Sequence, residues 1–273
     1  MDRAEIDQKR TSIGRTIPAE ARRRAITEAV RSAGAVTVAE LESRFGVSPM
    51  TARRDLDELD RRGMVRRTHG GAVLPGIAAH EDSFARRLDE SADAKRCLAD
   101  AAVALLRPRQ TVFLDSSTTA YRVAERMIEA GVAATVLTNS LPVMEIVRAR
   151  GGPGLELIGV GGTLRRLTRS FVGPIAVRTV LGHFADRMFL SVKGITEAGV
   201  MTDADALEAE VKRAMIERAG ETVLLVDRAK LFARGLSVVA SVADVTQVIA
   251  HGLARDEAGR LNSAGASLVL LDD

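Results

Sequence analysis

The feature that most constrains the fold is a series of short apolar runs that alternate with helical patterns from about Lys95 to the end of the chain. Several runs are apolar on successive residues, which is typical of strands buried on both faces. Strands separated by helices predict an α/β domain with a mostly parallel sheet. The predicted strands are residues 111–114, 134–137, 155–160, 187–192, 222–226, 245–249 and 267–271, and the predicted helices are residues 120–130, 141–149, 175–181 and 206–218.

Upstream of this region, three predicted helices are joined by tight connections. An apolar repeat within residues 18–34 predicts the first helix, and a capping box at residues 37–40 starts the second. A turn at Gly46 separates the second helix from the third, which Ser48 caps and in which Pro49 occupies the first turn. Two short helices joined by a tight glycine turn predict a helix-turn-helix.

The segment after the third helix has the pattern of two short strands around His69-Gly70-Gly71. Such a hairpin is the wing of a winged helix-turn-helix, and here it carries two arginines. We therefore predict a DNA-binding domain of residues 17–75, a linker of residues 76–94 and an α/β domain of residues 95–273.

Positive charge is concentrated near the N-terminus. Residues 1–75 carry 15 Lys+Arg against 11 Asp+Glu, or +4, whereas the remaining residues carry 24 against 25, or −1. An imbalance of this size also occurs on ordinary solvated surfaces, so the placement of the cations has to indicate the partner.

The composition favours few other kinds of site. The four histidines are scattered without metal-ligand spacing, and Cys97 is the single cysteine, so we predict no metal, no cofactor and no disulfide. The sequence has no run of about eighteen apolar residues and no signal-peptide pattern. We expect a cytoplasmic protein without a membrane partner.

The third helix carries the predicted DNA contacts. Early residues of a recognition helix lie deepest in the major groove, where Arg53 and Arg54 can match the acceptors of guanine. The alternative is that both arginines pair with Asp57 and Glu58 on a solvated face. We favour DNA because the capping box, glycine turn, capped basic helix and wing occur together in the required order. The predicted contacts are Ser48, Met50, Thr51, Arg53, Arg54, Arg66, Arg67 and His69.

Small polar residues follow three successive predicted strands, at residues 115–119, 138–140 and 161–163. Parallel sheets bind ligands at the carboxyl ends of their strands, and hydroxyls with the N–H groups of a helix start suit a phosphate. Helix capping explains any one of these segments, but three in succession favour a ligand site. Lys193 after the fourth strand, Lys230 after the fifth, and the acidic and basic residues of 208–212 can complete it, although each alone is more commonly solvated surface.

Residues 47–56, followed by Leu59, Gly63 and residues 67–72, resemble the N-terminal signature of the DeoR family of bacterial regulators. Ala52 departs from the pattern, because the family more often has a branched aliphatic residue there. We expect the smaller side chain to loosen the packing beneath the recognition helix.

Residues from about 95 to about 250 resemble the sensor domain of the same family, which is similar to the ribose-5-phosphate isomerase fold. The resemblance implies that this domain binds a phosphorylated sugar or related metabolite that changes DNA affinity. Ser117 departs from the family's usual glycine, and its side chain can narrow the approach to phosphate. The ligand residues implied are Asp115, Ser116, Ser117, Thr118, Thr119, Thr138, Asn139, Ser140, Gly162, Lys193, Glu210 and Lys212.

Together these patterns predict a transcription regulator, a repressor of a carbohydrate-metabolism operon, that binds double-stranded operator DNA and a phosphorylated sugar or polyol. Paired half-sites require a homo-oligomer, a dimer or a tetramer. The alternative is a sugar-phosphate isomerase-like enzyme with an appended DNA-binding domain, in which Asp115, Asp203 or Glu210 serves as the base. No second acid–base motif accompanies these carboxylates.

Overall fold

The structure, a computed structural model, describes residues 17–33, 35–62, 64–68, 70–73 and 83–271. The described residues form two compact units, one up to residue 73 and the other from residue 83. Within the described chain, no helix combines the length and the apolar character needed to cross a membrane.

The first unit is a winged helix-turn-helix, as the sequence predicts. The capping box is present, because the Glu40 N–H donates to Thr37 Oγ1 over 3.2 Å and the Thr37 N–H donates to Glu40 Oε2 over 2.7 Å. Gly46 ends the second helix with φ of +62°, a left-handed conformation that glycine adopts without strain. The helices are α1 (Ala19–Ala33), α2 (Val38–Phe45) and α3 (Pro49–Arg61), and the strands are β1 (Ala35–Thr37), β2 (Arg66–Thr68) and β3 (Gly71–Val73).

The wing has three strands rather than the two predicted. Strand β3 pairs antiparallel with β2 and also with β1, which lies between α1 and α2. The three residues of β1 are too few to show an alternating pattern, so the sequence analysis assigned no strand there. Strand β1 therefore connects the wing to helices α1 and α2, between which it lies in the chain.

The first unit packs around α3. Ala52 and Leu56 are fully buried and Leu59 nearly so, in one cluster with Ile26 and Leu41. Complete burial of Ala52 shows that neighbouring side chains close over this position.

Seven parallel strands form the sheet of the second unit, in the order β15-β14-β12-β9-β4-β5-β6. Each corresponds to one of the seven predicted strands, and their bounds differ from the prediction by up to three residues. The strands are β4 (Gln110–Leu114), β5 (Ala134–Thr138), β6 (Leu155–Gly159), β9 (Ala185–Leu190), β12 (Ala219–Asp227), β14 (Gln247–His251) and β15 (Leu268–Leu271).

Helices cover both faces of this sheet. Successive residues of β4 face opposite sides, with Phe113 in one apolar cluster and Val112 and Leu114 in the other. The first cluster includes residues of α8 (Pro174–Leu181), α9 (Ala206–Arg218) and α10 (Arg255–Ser263), and the second includes residues of α5 (Ala92–Ala104), α6 (Thr118–Glu129) and α7 (Leu141–Arg150).

The strand order reverses between β4 and β9. From β4 the chain proceeds through β5 and β6 to one edge, and from β9 it proceeds through β12, β14 and β15 to the other. The chain therefore leaves β4 toward one edge of the sheet and leaves β9 toward the opposite edge. In open parallel sheets this switch point leaves a crevice at the carboxyl ends of the strands, which is where ligands bind.

Several short elements were not predicted. Helix α4 (Phe84–Asp89) and the start of α5 lie within residues 76–94, so the described part of the predicted linker is helical. Helix α10 was also missed. The remaining strands, all in antiparallel pairs, are β7 (Thr163–Arg165), β8 (Ser170–Val172), β10 (Gly194–Ile195), β11 (Val200–Asp203) and β13 (Ser237–Ser241). Strands of two to five residues depend on their partners and leave little periodicity in the sequence.

Candidate DNA interface and candidate effector site

The start of α3 presents small hydroxyls and an exposed methionine. The Ser48 hydroxyl caps the helix, because the Thr51 N–H donates to it over 3.3 Å, and the two side-chain oxygens are 3.0 Å apart. Met50 is 59% exposed. These side chains surround the N-terminus of the helix, where N–H groups favour a phosphate oxygen.

Arg53 and Arg54 are exposed, and neither forms an ion pair with any described residue. The alternative pairing with Asp57 and Glu58 is wrong. Glu58 instead binds Arg61 and Arg62, the latter over 2.6 Å, and Asp57 binds a wing arginine. Two guanidinium groups on the predicted recognition face therefore retain donors for an external acceptor.

The wing arginine in that pair is Arg67. Its Nε lies 2.9 Å from Asp57 Oδ1, and its Nη1 donates to the Gly71 carbonyl over 3.1 Å. Its guanidinium is thus partly used within the unit, unlike those of Arg53 and Arg54. The side chain of Arg66 and all of His69 lie outside the described residues, so their predicted contacts stay predictions.

A small cavity lies at the carboxyl ends of β4 and β9, at the switch point of the sheet. Four basic side chains and one carboxylate line it, together with the residues at the start of α6. Of the predicted ligand residues, it brings together Ser117, Thr118, Thr119, Lys193 and Lys212. The other lining residues are Arg87, Ser191, Val192, Asp203, Ala204 and Lys230.

Lys212 is the centre of a buried ion network beneath the cavity. Its ammonium group lies 3.1 Å from Asp115 Oδ2, donates to Asp203 Oδ2, and donates to the Ser191 carbonyl over 2.6 Å. Burial by itself would lower the pKa of Lys212, but the carboxylates of Asp203 and Asp115 outweigh burial and hold the pKa above its usual value. Lys212 is therefore charged at neutral pH and largely neutralised by its neighbours.

The Ser117 hydroxyl is used inside the protein. It donates to Asp115 Oδ1 and accepts the Ala120 N–H over 3.0 Å, so it caps α6. Asp115 also accepts the Ser117 N–H over 3.0 Å. The side chain that replaces the family's glycine therefore orders the loop after β4, although it also lines the cavity.

Glu208, rather than the predicted Glu210, is the buried carboxylate of α9. It accepts hydrogen bonds from Ser116 Oγ over 2.7 Å, from Thr168 Oγ1 over 2.7 Å, and from Ser170 Oγ. Glu210 is exposed. Positions 208 and 212 lie four residues apart and share the inner face of the helix, whereas position 210 lies on another face, so the helical period could have identified Glu208.

Besides Glu210, six predicted residues do not line the cavity: Asp115 and Ser116, which precede Ser117, and four residues at or beyond the ends of β5 and β6. Thr138, Asn139 and Ser140 are buried after β5, where Thr138 and Ser140 accept backbone N–H groups and Asn139 Nδ2 donates to the Phe171 carbonyl over 2.9 Å. Gly162 has φ of +151°, and a β-carbon there would lie 2.7 Å from the Val172 carbonyl oxygen. These segments anchor the β7–β8 hairpin, because the sheet places the ends of β5 and β6 to one side of the switch point.

Arg87 is the main residue that the sequence analysis missed. It lines the cavity from α4, and its Nε and one Nη are buried with no hydrogen-bond partner among the described residues. Ser191 Oγ is also buried without such a partner. Buried donors are nearly always satisfied, so these atoms are unused hydrogen-bonding groups at the cavity.

The cations around the cavity repel one another. Burial lowers the pKa of Lys230; Lys193, Arg87 and Lys212 lower it further, and Asp227 opposes them. An anion placed among these groups would relieve this repulsion. Among the described residues, no group of three His, Cys, Asp or Glu side chains is arranged to hold a metal ion.

The carboxylates suggested as enzymatic bases are poorly suited to that role. Asp203 lines the cavity; burial alone would raise its pKa, but Lys212 and the Ala204 N–H hold the pKa below its usual value. Asp115 is enclosed by its hydrogen bonds and by Lys212, and Glu210 faces away. A general base works best when its pKa lies near the operating pH, so Asp203 is a weak candidate.

Two family models match this chain. The DeoR-like helix-turn-helix domain matches residues 22–77, and the DeoR C-terminal sensor domain matches residues 90–251. The second match alone spans more than half of the sequence. The chain belongs to the DeoR family of transcriptional regulators.

Named relatives have the same organisation. The chain is 35% identical over 254 residues to the HTH-type transcriptional regulator GlpR of Haloferax volcanii, covering 93% of this chain and 98% of the relative. It is 33% identical over 217 residues to the lactose phosphotransferase system repressor of Streptococcus mutans, covering 78% and 84% respectively. Both relatives are named as regulators rather than as enzymes.

Among solved structures, the chain is similar to ribose 5-phosphate isomerase A from Methanocaldococcus jannaschii, with a TM-score of 0.38 and 16% identity. The alignment covers 52% of this chain and 55% of that one. At this TM-score the likeness gives no information about activity, and the predicted isomerase-like fold of the sensor domain stays a prediction.

Proposed function

We propose that this protein represses a carbohydrate-metabolism operon and that a phosphorylated sugar or polyol, bound in the cavity at the ends of β4 and β9, controls its affinity for DNA. The observation that carries the proposal is Arg87, whose Nε and one Nη are buried without a described hydrogen-bond partner beside a cavity that three lysines also line. Family membership and the name of the lactose phosphotransferase system repressor support a sugar-related role.

The cation cluster favours a phosphate group. Arg87 offers a planar pair of donors that fits two phosphate oxygens, and Lys193 and Lys230 add charge. Thr118 and Thr119 follow Ser117 at the start of α6, where N–H groups favour an anion. A phosphate would thus meet arginine, lysine and a helix N-terminus together.

The opposite charge in the cavity favours a hydroxylated ligand. Asp203 is the one carboxylate that lines it, and Ser191 Oγ is buried nearby without a described partner. A carboxylate accepts hydrogen bonds from sugar hydroxyls, and a serine hydroxyl can donate or accept. An inorganic anion alone would leave these groups unused.

The DNA contacts follow from the exposed face of α3. We infer that Arg53 and Arg54 contact bases, that Ser48, Met50 and Thr51 lie against the backbone or groove, and that the wing adds Arg66, Arg67 and His69. One small unit makes few contacts, so we infer a homo-oligomer that pairs two half-sites. Because its partner is chromosomal DNA, we place the protein in the cytoplasm.

A DNA-binding titration tests the proposal. The purified chain is titrated onto DNA from upstream of its own coding sequence, with and without a panel of pentose and hexose phosphates and the unphosphorylated sugars as controls. We expect specific binding that at least one sugar phosphate changes by about tenfold or more, a typical size for allosteric coupling. Specific binding with no response to any phosphorylated compound would contradict the effector, and absence of specific binding would contradict the regulator.

Matched variants locate the effector. Arg87→Gln should abolish or strongly weaken the response, whereas Arg86→Gln should retain it, because Arg86 is exposed on the same helix and pairs with Glu90 at the surface. A full response in Arg87→Gln would place the effector elsewhere. A thermal-shift screen of the same compounds identifies the ligand, since a ligand that binds only the native state raises its apparent stability.

A further inference from the structure

Helix α4 is the first described element after the DNA-binding unit in the chain, and it also reaches the effector cavity. It has six residues, and one of them, Arg87, lines the cavity. Residues 74–83 separate α4 from the last described residue of the first unit.

The start of α4 is tied to the loop after β4 through Glu208. The Phe84 N–H donates to the Leu167 carbonyl over 3.0 Å. The adjacent Thr168 donates to Glu208, whose other oxygen accepts from Ser116. The Phe84 ring is buried and meets Tyr121 edge-on, with 5.6 Å between ring centroids. These contacts fix where the helix begins.

The end of α4 is tied by a lysine that does not line the cavity. Lys95, on α5, is 3% exposed, and its ammonium group donates to the carbonyls of Arg87 and Glu90. The Thr118 hydroxyl also donates to the Arg87 carbonyl, over 3.3 Å. Burial, and then the charge of Lys230, lower the pKa of Lys95 to about 8. Burial of the charged ammonium group of Lys95 therefore costs free energy, and its hydrogen bonds go to carbonyls at the end of α4 rather than to a carboxylate.

We propose that Lys95 is a positioning residue that holds the last turn of α4 so that Arg87 faces the cavity. This inference rests on the proposed function, because it takes the ligand of the cavity to be a phosphorylated effector. It adds a residue outside the cavity on which effector affinity depends.

The energetic reason is that a phosphate supplies the hydrogen-bond acceptors that Arg87 lacks when α4 is docked. With the cavity empty, docking of α4 buries Arg87 donors without a described partner, which disfavours the docked position. A bound phosphate would accept those hydrogen bonds and stabilise it. Because such coupling is reciprocal, a change that loosens α4 must weaken phosphate binding, and phosphate must tighten α4.

Hydrogen exchange of the full-length protein, with inorganic phosphate as the probe, tests this inference. In the wild type, phosphate should slow exchange of the α4 amides and leave those of α10 unchanged. In Lys95→Met, the α4 amides should exchange faster without phosphate, and the phosphate dissociation constant should rise about tenfold or more although the cavity lining is intact. Arg96→Gln, on α5 next to Lys95 but exposed and paired with Asp93, should behave as the wild type.

The outcomes separate the two proposals. If wild-type phosphate binding is absent, or if it is unchanged in Arg87→Gln, the proposed effector site fails. If the wild type binds phosphate at Arg87 but Lys95→Met binds it equally well, or its α4 amides are equally protected, only the role of Lys95 fails. Should Lys95→Met not fold, wild-type exchange still tests α4, because phosphate protection that is equal in α4 and α10 would overturn the coupling of α4 to the cavity.

Discussion

The two units use similar side chains in opposite ways. On α3 of the DNA-binding unit, Arg53 and Arg54 are exposed and have no described ion pair, so their donors are free for an external partner. In the sensor unit, Lys212 is buried between two carboxylates, and Arg87 is half-buried with two guanidinium nitrogens that have no described hydrogen-bond partner. An open, fully hydrated surface suits a long polyanion, whereas a partly neutralised, enclosed cavity suits one small anion with hydroxyl groups.

The largest expected effect concerns Lys212. Lys212→Met should lower the free energy of unfolding of the sensor unit by about 3–5 kcal/mol, because Asp115 and Asp203 are left buried without their cation. Urea denaturation measures the loss. The matched change Lys193→Met should cost less than about 1 kcal/mol, since Lys193 is half-buried and makes no described ion pair. Equal losses in the two variants would show that the ion network is not what distinguishes the buried site.

The second prediction compares two helix-capping serines. Ser48→Ala should cost about 1 kcal/mol, the usual value for an exposed N-cap. Ser117→Ala should cost about 2–3 kcal/mol, because its buried hydroxyl caps α6 and also donates to the charged Asp115. Chemical denaturation of both variants gives the comparison, and a smaller loss for Ser117→Ala would contradict it.

The third prediction concerns the exposed face. Arg53→Ala and Arg54→Ala should each weaken specific DNA binding by about 1–3 kcal/mol and relax sequence preference at one position. Neither should change the thermal midpoint, because neither side chain is paired in the described structure. Arg61→Ala, at the far end of α3 and paired with Glu58, serves as the control and should bind DNA nearly normally. A large loss of stability in Arg53→Ala would mean that this arginine is structural.

The last prediction is a pH dependence due to Lys95. Its pKa of about 8 in the folded protein lies below the value of about 10.5 in the unfolded chain. The unfolded chain therefore binds more protons between these values, and the free energy of unfolding should rise with pH from about 8 to about 10.5. Lys230, Asp227, Glu90 and Arg87 surround this group and also act on it. Denaturation curves of the wild type and of Lys95→Met at several pH values isolate the effect. The unfolding free energy of the wild type minus that of the variant should increase from about pH 8 to about pH 10.5. A constant difference would contradict this prediction.

The DNA-binding unit was largely predictable because its signals are local. The Thr37–Glu40 capping box and the Ser48 cap each involve residues three apart, and Gly46 ends its helix by its own backbone conformation. The missed strand β1 is the exception. It forms because β3 returns to it from about 35 residues later in the chain, which no local pattern indicates.

The sensor site was predictable in its strands and only partly in its chemistry. Apolar runs located all seven parallel strands. Of the residues predicted at strand ends, residues 117–119 and Lys193 line the cavity, and the predicted Lys212 reaches it from helix α9. The same logic wrongly grouped Thr138, Asn139, Ser140 and Gly162 with them. The ends of β5 and β6 follow a similar pattern, but strand order places them beside the switch point rather than at it.

The sequence by itself determined the family, the helix-turn-helix with its recognition face, and the alternation that makes a parallel sheet. Caps, turns and apolar periods act over a few residues, so they can be read along the chain. The tertiary structure alone decided that Arg87 enters the cavity, that Glu208 accepts a hydrogen bond from Ser116, and that Lys95 donates to the carbonyls at the end of α4. These contacts depend on strand order and helix packing, such as the hydrogen bond that joins Ser116 to Glu208, 92 residues away.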